Sequence, residues 1–250
     1  MIHFWMKNKI SIVMVCKNSE ETIELSLNSF FNQNLKPKEL IVIDGGSTDN
    51  TVNLIKKYKN INYFEVIPGL GLYASINYAI KMSTGNIIGI LHSDDIFFSK
   101  NILTNISDEF SEDIDAIYSN IKFTDKFGEE KRSWISENLN REGFQNLIFP
   151  PHTGIYIKKK IFEIVGPYDE TYKISSDQEF MYKLFYLNNF NIKFYDLFTV
   201  KMKLGGLSTK SLKNIILANY ETLKILNKYN KNVFKNLLII MKKISYKLRQ

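Results

Sequence analysis

The sequence predicts an α/β protein: a mostly parallel β-sheet flanked by helices, followed by a helical, basic C-terminal tail. Three observations carry that expectation. Short apolar runs at residues 10–16, 40–43, 61–67 and 86–91 alternate with segments of helical periodicity, the pattern of strands buried on both faces between crossover helices. The first, second and fourth runs each end in a polar cluster: Lys17-Asn18, residues 44–49 and residues 93–95. From Lys201 onward, twelve lysines and arginines stand against Glu221 alone, so a chain of net charge +7 is acidic over its first 200 residues and strongly basic after them.

Residues 10–16 hold two valines and two isoleucines between Lys9 and Lys17 and read as a buried strand. A helix follows, with Ser19 as N-cap, Glu20 and Glu21 in the first turn, and Ile23, Leu27, Phe30 and Phe31 at helical spacing. Pro37 breaks the chain before the second strand, and Thr48 or Asp49 caps a helix running through Lys57. A third strand at 61–67, a helix at 72–82 and a fourth strand at 86–91 complete the alternating half. Beyond it the spacing predicts a helix near 100–110, a strand at 116–123, a turn at 126–128, a strand near 154–157 and a helix at 159–165. Ser175 or Ser176 then caps a helix over 177–186. The loop Gly205-Gly206-Leu207-Ser208-Thr209 separates a body of residues 1–209 from a tail of residues 210–250.

With 250 residues and 44% hydrophobic content the chain can fill a globular core, which argues against disorder. Cys16 is the single cysteine and lies inside an apolar run, so a buried structural thiol in a reducing compartment is expected. The N-terminus lacks the pattern of a secretory signal, and no apolar stretch reaches the roughly 18 residues of a spanning helix. The expected location is the cytoplasm, with the inner face of the plasma membrane open to the tail. There, apolar residues alternate with lysines at helical spacing, suiting either a helix on an anionic membrane or one packed on the body with a solvated face. No nucleic-acid-binding motif is present.

Polar clusters beyond the carboxyl ends of parallel strands converge on one crevice, where such sheets bind ligands. Adjacent carboxylates at Asp94 and Asp95 raise each other's pKa unless a cation shares them, and hard oxygens suit Mg²⁺ or Mn²⁺. The competing reading makes Ser93 and Asp94 simple helix caps. In residues 44–49, Gly45 and Gly46 permit close approach of a ligand while Asp44 offers an acceptor, and a plain strand-to-helix turn explains the same residues. Gly69-Leu70-Gly71 followed by Tyr73-Ala74 resembles a dinucleotide-binding loop, but Pro68 interrupts it and the first strand carries no glycine, so a dinucleotide-binding oxidoreductase is the minor alternative.

Taken together, residues 11–18, Glu39 through Thr51 with Asp44-Gly45-Gly46-Ser47-Thr48-Asp49, Gly71-Leu72-Tyr73 with Asn77, Thr84-Gly85, Leu91-His92-Ser93-Asp94-Asp95 and Ser176-Asp177-Gln178-Glu179-Phe180 resemble the family 2 glycosyltransferases. The resemblance spans about residues 9–209 and implies the Rossmann-like, A-type nucleotide-sugar fold. It also implies that Val15, Lys17 and Asp44 border the nucleoside, that Ser93 and Asp94 meet the nucleotide-sugar, and that Asp94 and Asp95 hold Mn²⁺ or Mg²⁺. Asp177 matches the catalytic base, with Glu179 as competitor, and Pro151-His152-Thr153-Gly154 lies where the acceptor side is built. Ala74 and His92 depart from common family residues and leave the donor open.

The implied reaction is an inverting transfer of a sugar from a nucleotide-diphosphate-sugar, UDP favoured, to a hydroxyl of a glycan or lipid-linked saccharide in surface-polysaccharide synthesis. Gly205 and Gly206 suit a hinge that brings Ser208 and Thr209 to the diphosphate, or a plain linker. A non-catalytic sugar-nucleotide-binding relative is the other reading.

Overall fold

The apolar run at residues 10–16 becomes the central strand of a sheet because neither face of it meets water. In the computed structural model, which describes residues 8–36, 38–125, 127–136, 149–206, 211–230 and 232–248, all seven residues of β1 (Ile10–Cys16) are buried. β1 pairs in parallel with β2 (Lys38–Asp44) on one side and β4 (Ile87–Ile90) on the other, and β3 (Tyr63–Val66) extends the sheet beyond β2. Alternate residues Ile10, Ile12, Met14 and Cys16 pack in one core with Ile23, Leu27 and Phe30 of α1 (Ile23–Phe31) and with Leu54 and Ile55 of α2 (Thr51–Lys56). Leu27 is fully buried, so its truncation to alanine costs about 2–5 kcal/mol. α3 (Leu72–Met82), at the bounds the sequence predicts, packs on β1 and β2 through buried Ile76 and Ala79.

After β4 come the short β5 (Ile96–Phe97), α4 (Ile102–Glu109), β6 (Ala116–Thr124), β7 (Glu130–Trp134), β8 (Ile155–Lys158), α5 (Lys159–Val165) and β9 (Ile192–Lys203). The order is β3-β2-β1-β4-β8-β6-β9-β5, with β7 beside β6. Parallel pairing is confined to β3-β2-β1-β4 and to β6 with β9; the other pairs are antiparallel. The α/β class therefore stands, while the second half of the sheet is mixed. Besides the two-residue β5, two strands lacked a sequence signal for physical reasons. β7 is exposed at every position and reads as a charged loop, and β9 shows no clean alternation, its register with β6 shifting around Asn120.

The sequence predicts a boundary after residue 209. Contacts group the chain differently: the described parts of Met1–Asn138, Pro150–Pro167 and Phe190–Leu204 form one unit, and those of Leu139–Phe149, Tyr168–Asn189 and Gly205–Gln250 form another. The second unit contains α6 (Ser176–Tyr182), a π-helical turn at Lys183–Leu187, α7 (Leu212–Tyr229) and α8 (Val233–Leu248). Glu221 explains the grouping. Fully enclosed on α7, its carboxylate accepts hydrogen bonds from the backbone N–H of Lys173, Ile174 and Ser175 at 2.8, 2.9 and 2.9 Å. Three donors on one carboxylate satisfy its charge and tie the approach to α6 onto α7.

Candidate functional site

The first unit brings together the three strand-end clusters. Asn18, at φ 52°, donates its backbone N–H to Ser47 Oγ at 2.8 Å and accepts from Thr48 N–H through Oδ1 at 2.9 Å. Ser19 Oγ lies 2.9 Å from Ser93 Oγ, joining the loop after β1 to the loop after β4. The predicted cap at Ser19 is thus displaced. α1 starts at Ile23, the Ser19 carbonyl accepts from Thr22 and Ile23, and the hydroxyl is spent on Ser93. A fourth loop joins them, since Ile67 N–H donates to Asp44 O at 2.8 Å and Gly69 N–H to Gly45 O at 3.3 Å. Val15 is buried at the end of β1, and Lys17 is exposed at its mouth.

Asp44 is completely buried. Its Oδ1 accepts from the N–H groups of Gly46 and Ser47 at 2.9 and 2.7 Å, and its Oδ2 from Ser47 Oγ at 2.5 Å, with Cys16 Sγ at 3.4 Å. Its carboxylate organises the loop that forms the wall of the crevice. Burial and the Asp44 charge push the Cys16 thiol far above its ordinary range, leaving it an inert core group as expected. Gly46 holds φ +87°, and a Cβ there would lie 2.8 Å from Pro68 Cα, so this position requires glycine. Asp49 caps α2 from one residue outside, its Oδ1 accepting from Thr51 N–H at 3.0 Å.

Asp94 is exposed, whereas Asp95 is 1% exposed and neither of its carboxylate oxygens has a formed hydrogen bond. Burial, and then the neighbouring Asp94 charge, hold the Asp95 carboxyl well above the usual carboxylate range; the Lys203 backbone N–H pulls the other way without offsetting them. A buried acceptor pair with no formed hydrogen bond is costly unless a cation or donor completes it. Among the described residues no three His, Cys, Asp or Glu side chains converge as a full ligand set. Two adjacent carboxylates do suffice for Mg²⁺ or Mn²⁺ when phosphate oxygens and water fill the remaining positions. The residues present therefore fit such an ion.

His92 sits beside His152, their ring centroids 6.2 Å apart at 44°. Burial lowers both pKa values, Asp94 partly opposing it at His92, while the neighbouring His92 helps bring His152 down to about 3. The Pro151-to-Gly154 segment forms a 3₁₀ turn, with Gly154 O accepting from Ser119 Oγ at 2.9 Å. Sequence reasoning missed Ser26, whose Oγ lies 2.5 Å from Asp95 O and 3.3 Å from His92 O, fastening the acidic loop to α1. Its signal was a serine on the buried stripe of that helix, beside Ile23, Leu27 and Phe30.

In the second unit Asp177 occupies the first turn of α6, half-buried, near Tyr168, whose phenol pKa is pushed up by burial and then by the Asp177 charge. Glu179 is 1% exposed and accepts from Tyr229 Oη and, at 3.1 Å, from Lys228 Nζ; Lys183 Nζ lies 3.0 Å from its other oxygen. Ser208 and Thr209 lie outside the described residues.

The strand-end loops, with an exposed and a buried carboxylate side by side, form a crevice where α/β sheets of this kind bind ligands. The chain belongs to glycosyl transferase family 2, whose sequence profile matches residues 11–166. It is 28% identical over 97% of its length to an uncharacterised glycosyltransferase of Methanocaldococcus jannaschii, spanning 87% of that protein. It is 30% identical over 69% of its length to the poly(ribitol-phosphate) beta-glucosyltransferase of Bacillus spizizenii, of which it spans only 33%. The fold matches Staphylococcus aureus TarS residues 1–349 in complex with UDP-GlcNAc, with a TM-score of 0.68 at 22% identity, covering 88% of this chain and 71% of that one. A mannosyltransferase from Pyrobaculum calidifontis in complex with GDP-Man and Mn²⁺ matches with a TM-score of 0.53 at 14% identity, over 70% and 51% of the two chains.

Proposed function

We propose that this family 2 glycosyltransferase moves a sugar, with inversion at the anomeric carbon, from a UDP-sugar to a hydroxyl of a glycan or lipid-linked saccharide in cell-surface polysaccharide synthesis, on the cytoplasmic side. The observation that carries the reading is the Asp95 carboxylate, buried with no formed hydrogen bond beside exposed Asp94 at the mouth of the strand-end crevice. Those two residues would hold Mn²⁺ or Mg²⁺, which supplies charge neutralisation for a departing nucleoside diphosphate. Val15 and Lys17 border the nucleoside, against a wall that Asp44 shapes by holding Gly46 and Ser47. Ser93 meets the nucleotide-sugar. Neutral His92 and His152 supply ring nitrogens on the acceptor side, able to hydrogen-bond hydroxyls without adding charge.

Asp177 takes the proton of the acceptor hydroxyl as its oxygen attacks the anomeric carbon, the bond to the diphosphate breaking in line and the configuration inverting. The match of Ser176-Asp177-Gln178-Glu179-Phe180 to the family motif supports this assignment. The enclosure of Glu179 by Tyr229, Lys228 and Lys183 argues against the competitor. The poly(ribitol-phosphate) glucosyltransferase relative supports a polymer acceptor, and the UDP-GlcNAc complex of TarS supports a nucleotide-diphosphate-sugar donor.

The test is a thermal-shift screen across UDP-, GDP- and dTDP-sugars, each with and without Mn²⁺, followed by release of free nucleoside diphosphate from the donor that binds. Metal-dependent stabilisation by a UDP-sugar is the expected result. Binding of a dinucleotide without metal, or full transfer by Asp177→Asn, would sink the reading.

A further inference from the structure

Eight of the sixteen exposed large apolar side chains among the described residues lie on just two helices, α7 and α8. Elsewhere such residues are scattered, and scattered ones need no explanation. On α8, Phe234, Leu237, Leu238 and Met241 are 74%, 46%, 43% and 65% exposed. Their spacing of i, i+3, i+4 and i+7 makes one continuous stripe. The opposite side of the same helix is already used, since Asn236, Ile239 and Ile240 are buried. α7 repeats the design: Leu212, Ile216 and Tyr220, every fourth residue, are 72%, 61% and 64% exposed, while Ala218, Thr222, Ile225 and Leu226 are buried.

The inward faces of both helices are therefore satisfied by packing, and their outward apolar stripes are surplus to the fold. The charge around the stripes narrows what covers them. Lys213 and Lys224 are exposed and fall to one side of the α7 stripe, and Lys235 falls beside that of α8. From residue 211 to the end, the only acidic residue is Glu221, and it is buried and hydrogen-bonded to three backbone N–H groups. Within these helices no exposed acidic side chain moderates the basic surface; the acids that pair with Lys228, Asp169 and Glu179, lie outside them. A helix with an apolar stripe, basic flanks and no exposed acids is matched by an interface of hydrocarbon beneath anionic headgroups, where each lysine adds to the attraction and the stripe sinks below the headgroups.

We infer that α7 and α8 form an interfacial docking surface for an anionic lipid bilayer, onto which the protein adsorbs in the plane without spanning. Among the described residues no helix is long and apolar enough to cross a membrane. The inference extends the proposed function by naming the surface on which a lipid-linked acceptor is met. It does not depend on the donor or on the acidic pair, so vesicle binding and sugar transfer can fail separately.

The experiment is co-sedimentation of the full chain with vesicles of phosphatidylcholine alone and of equal parts phosphatidylcholine and phosphatidylglycerol. Binding to the anionic vesicles is expected, with little on neutral ones and progressive release by salt. Leu237→Glu with Met241→Glu, both at exposed positions, lowers affinity for anionic vesicles at least tenfold while the melting temperature holds. Phe234→Trp keeps binding, and its added emission shifts to the blue only with anionic vesicles, a signal that adsorption through lysines alone does not produce. Equal vesicle binding by the double-glutamate variant, or an unmoved Phe234→Trp emission, overturns the inference. So does light scattering that shows a dimer of wild-type chains which the glutamates dissociate, since a second copy then covers the stripes.

Discussion

Asp94 and Asp95, adjacent in sequence, occupy opposite environments: Asp94 faces solvent, and the Asp95 carboxylate is buried with both oxygens lacking a formed hydrogen bond. The pair thus costs folding free energy in the protein alone and would become favourable with a shared cation, as proposed above.

Asp95→Asn removes the buried charge while keeping shape. Without metal the variant is at least as stable as wild type, by up to about 2 kcal/mol. The thermal shift produced by UDP-sugar with Mn²⁺ falls to the level of UDP-sugar alone, and transfer drops by about 10²-fold or more. Differential scanning fluorimetry with and without metal checks the first two outcomes.

Gly45→Ala and Gly46→Ala separate adjacent glycines. A Cβ on Gly45 meets its nearest neighbour, Leu70 O, at 3.4 Å, whereas one on Gly46 lies 2.8 Å from Pro68 Cα on a backbone at φ +87°. The second substitution costs about 1–3 kcal/mol and the first well under 1 kcal/mol, read from urea denaturation midpoints.

Asp177→Asn and Glu179→Gln divide catalysis from structure. The former abolishes most transfer with an unchanged melting temperature. The latter loses charge-assisted bonds to Tyr229 and Lys228 and the Lys183 ion pair, lowering stability by about 1–3 kcal/mol. Transfer by Glu179→Gln, measured well below its melting point, stays within a few-fold of wild type.

Acid unfolding reports on Glu39, at the start of β2. Its carboxylate accepts from Ser11 Oγ, from Thr84 N–H at 2.7 Å and from Thr84 Oγ1 at 2.7 Å, with Lys9 Nζ at 3.5 Å. Burial alone would raise its pKa, but these donors and the Lys9 charge overcome it and hold the group below 4.5. A carboxyl depressed in the folded state stabilises above its unfolded pKa, and that contribution is lost as pH falls below 4.5 through the folded value. Glu39→Gln therefore narrows the stability difference between pH 7 and acid, seen by circular dichroism melts across that range.

The alternating half of the fold was legible in the sequence because local periodicity and burial coincide there. β1 and α3 follow directly from apolar spacing, and the convergence of Lys17-Asn18, Asp44 and Ser93 through Asp95 follows from parallel strands ending on one edge. β7 and β9 were not legible, since a charged edge strand and a strand with shifted register lack the period-2 signal that marks burial. Residue types and their order along the chain were enough to nominate the acidic pair. Which of the two is buried, that Ser19 serves Ser93 and not its helix, and that Glu179 is spent on α7 depend on neighbours brought from tens of residues away. Composition names the donors and acceptors a chain owns; long-range packing determines which of them are left over for chemistry.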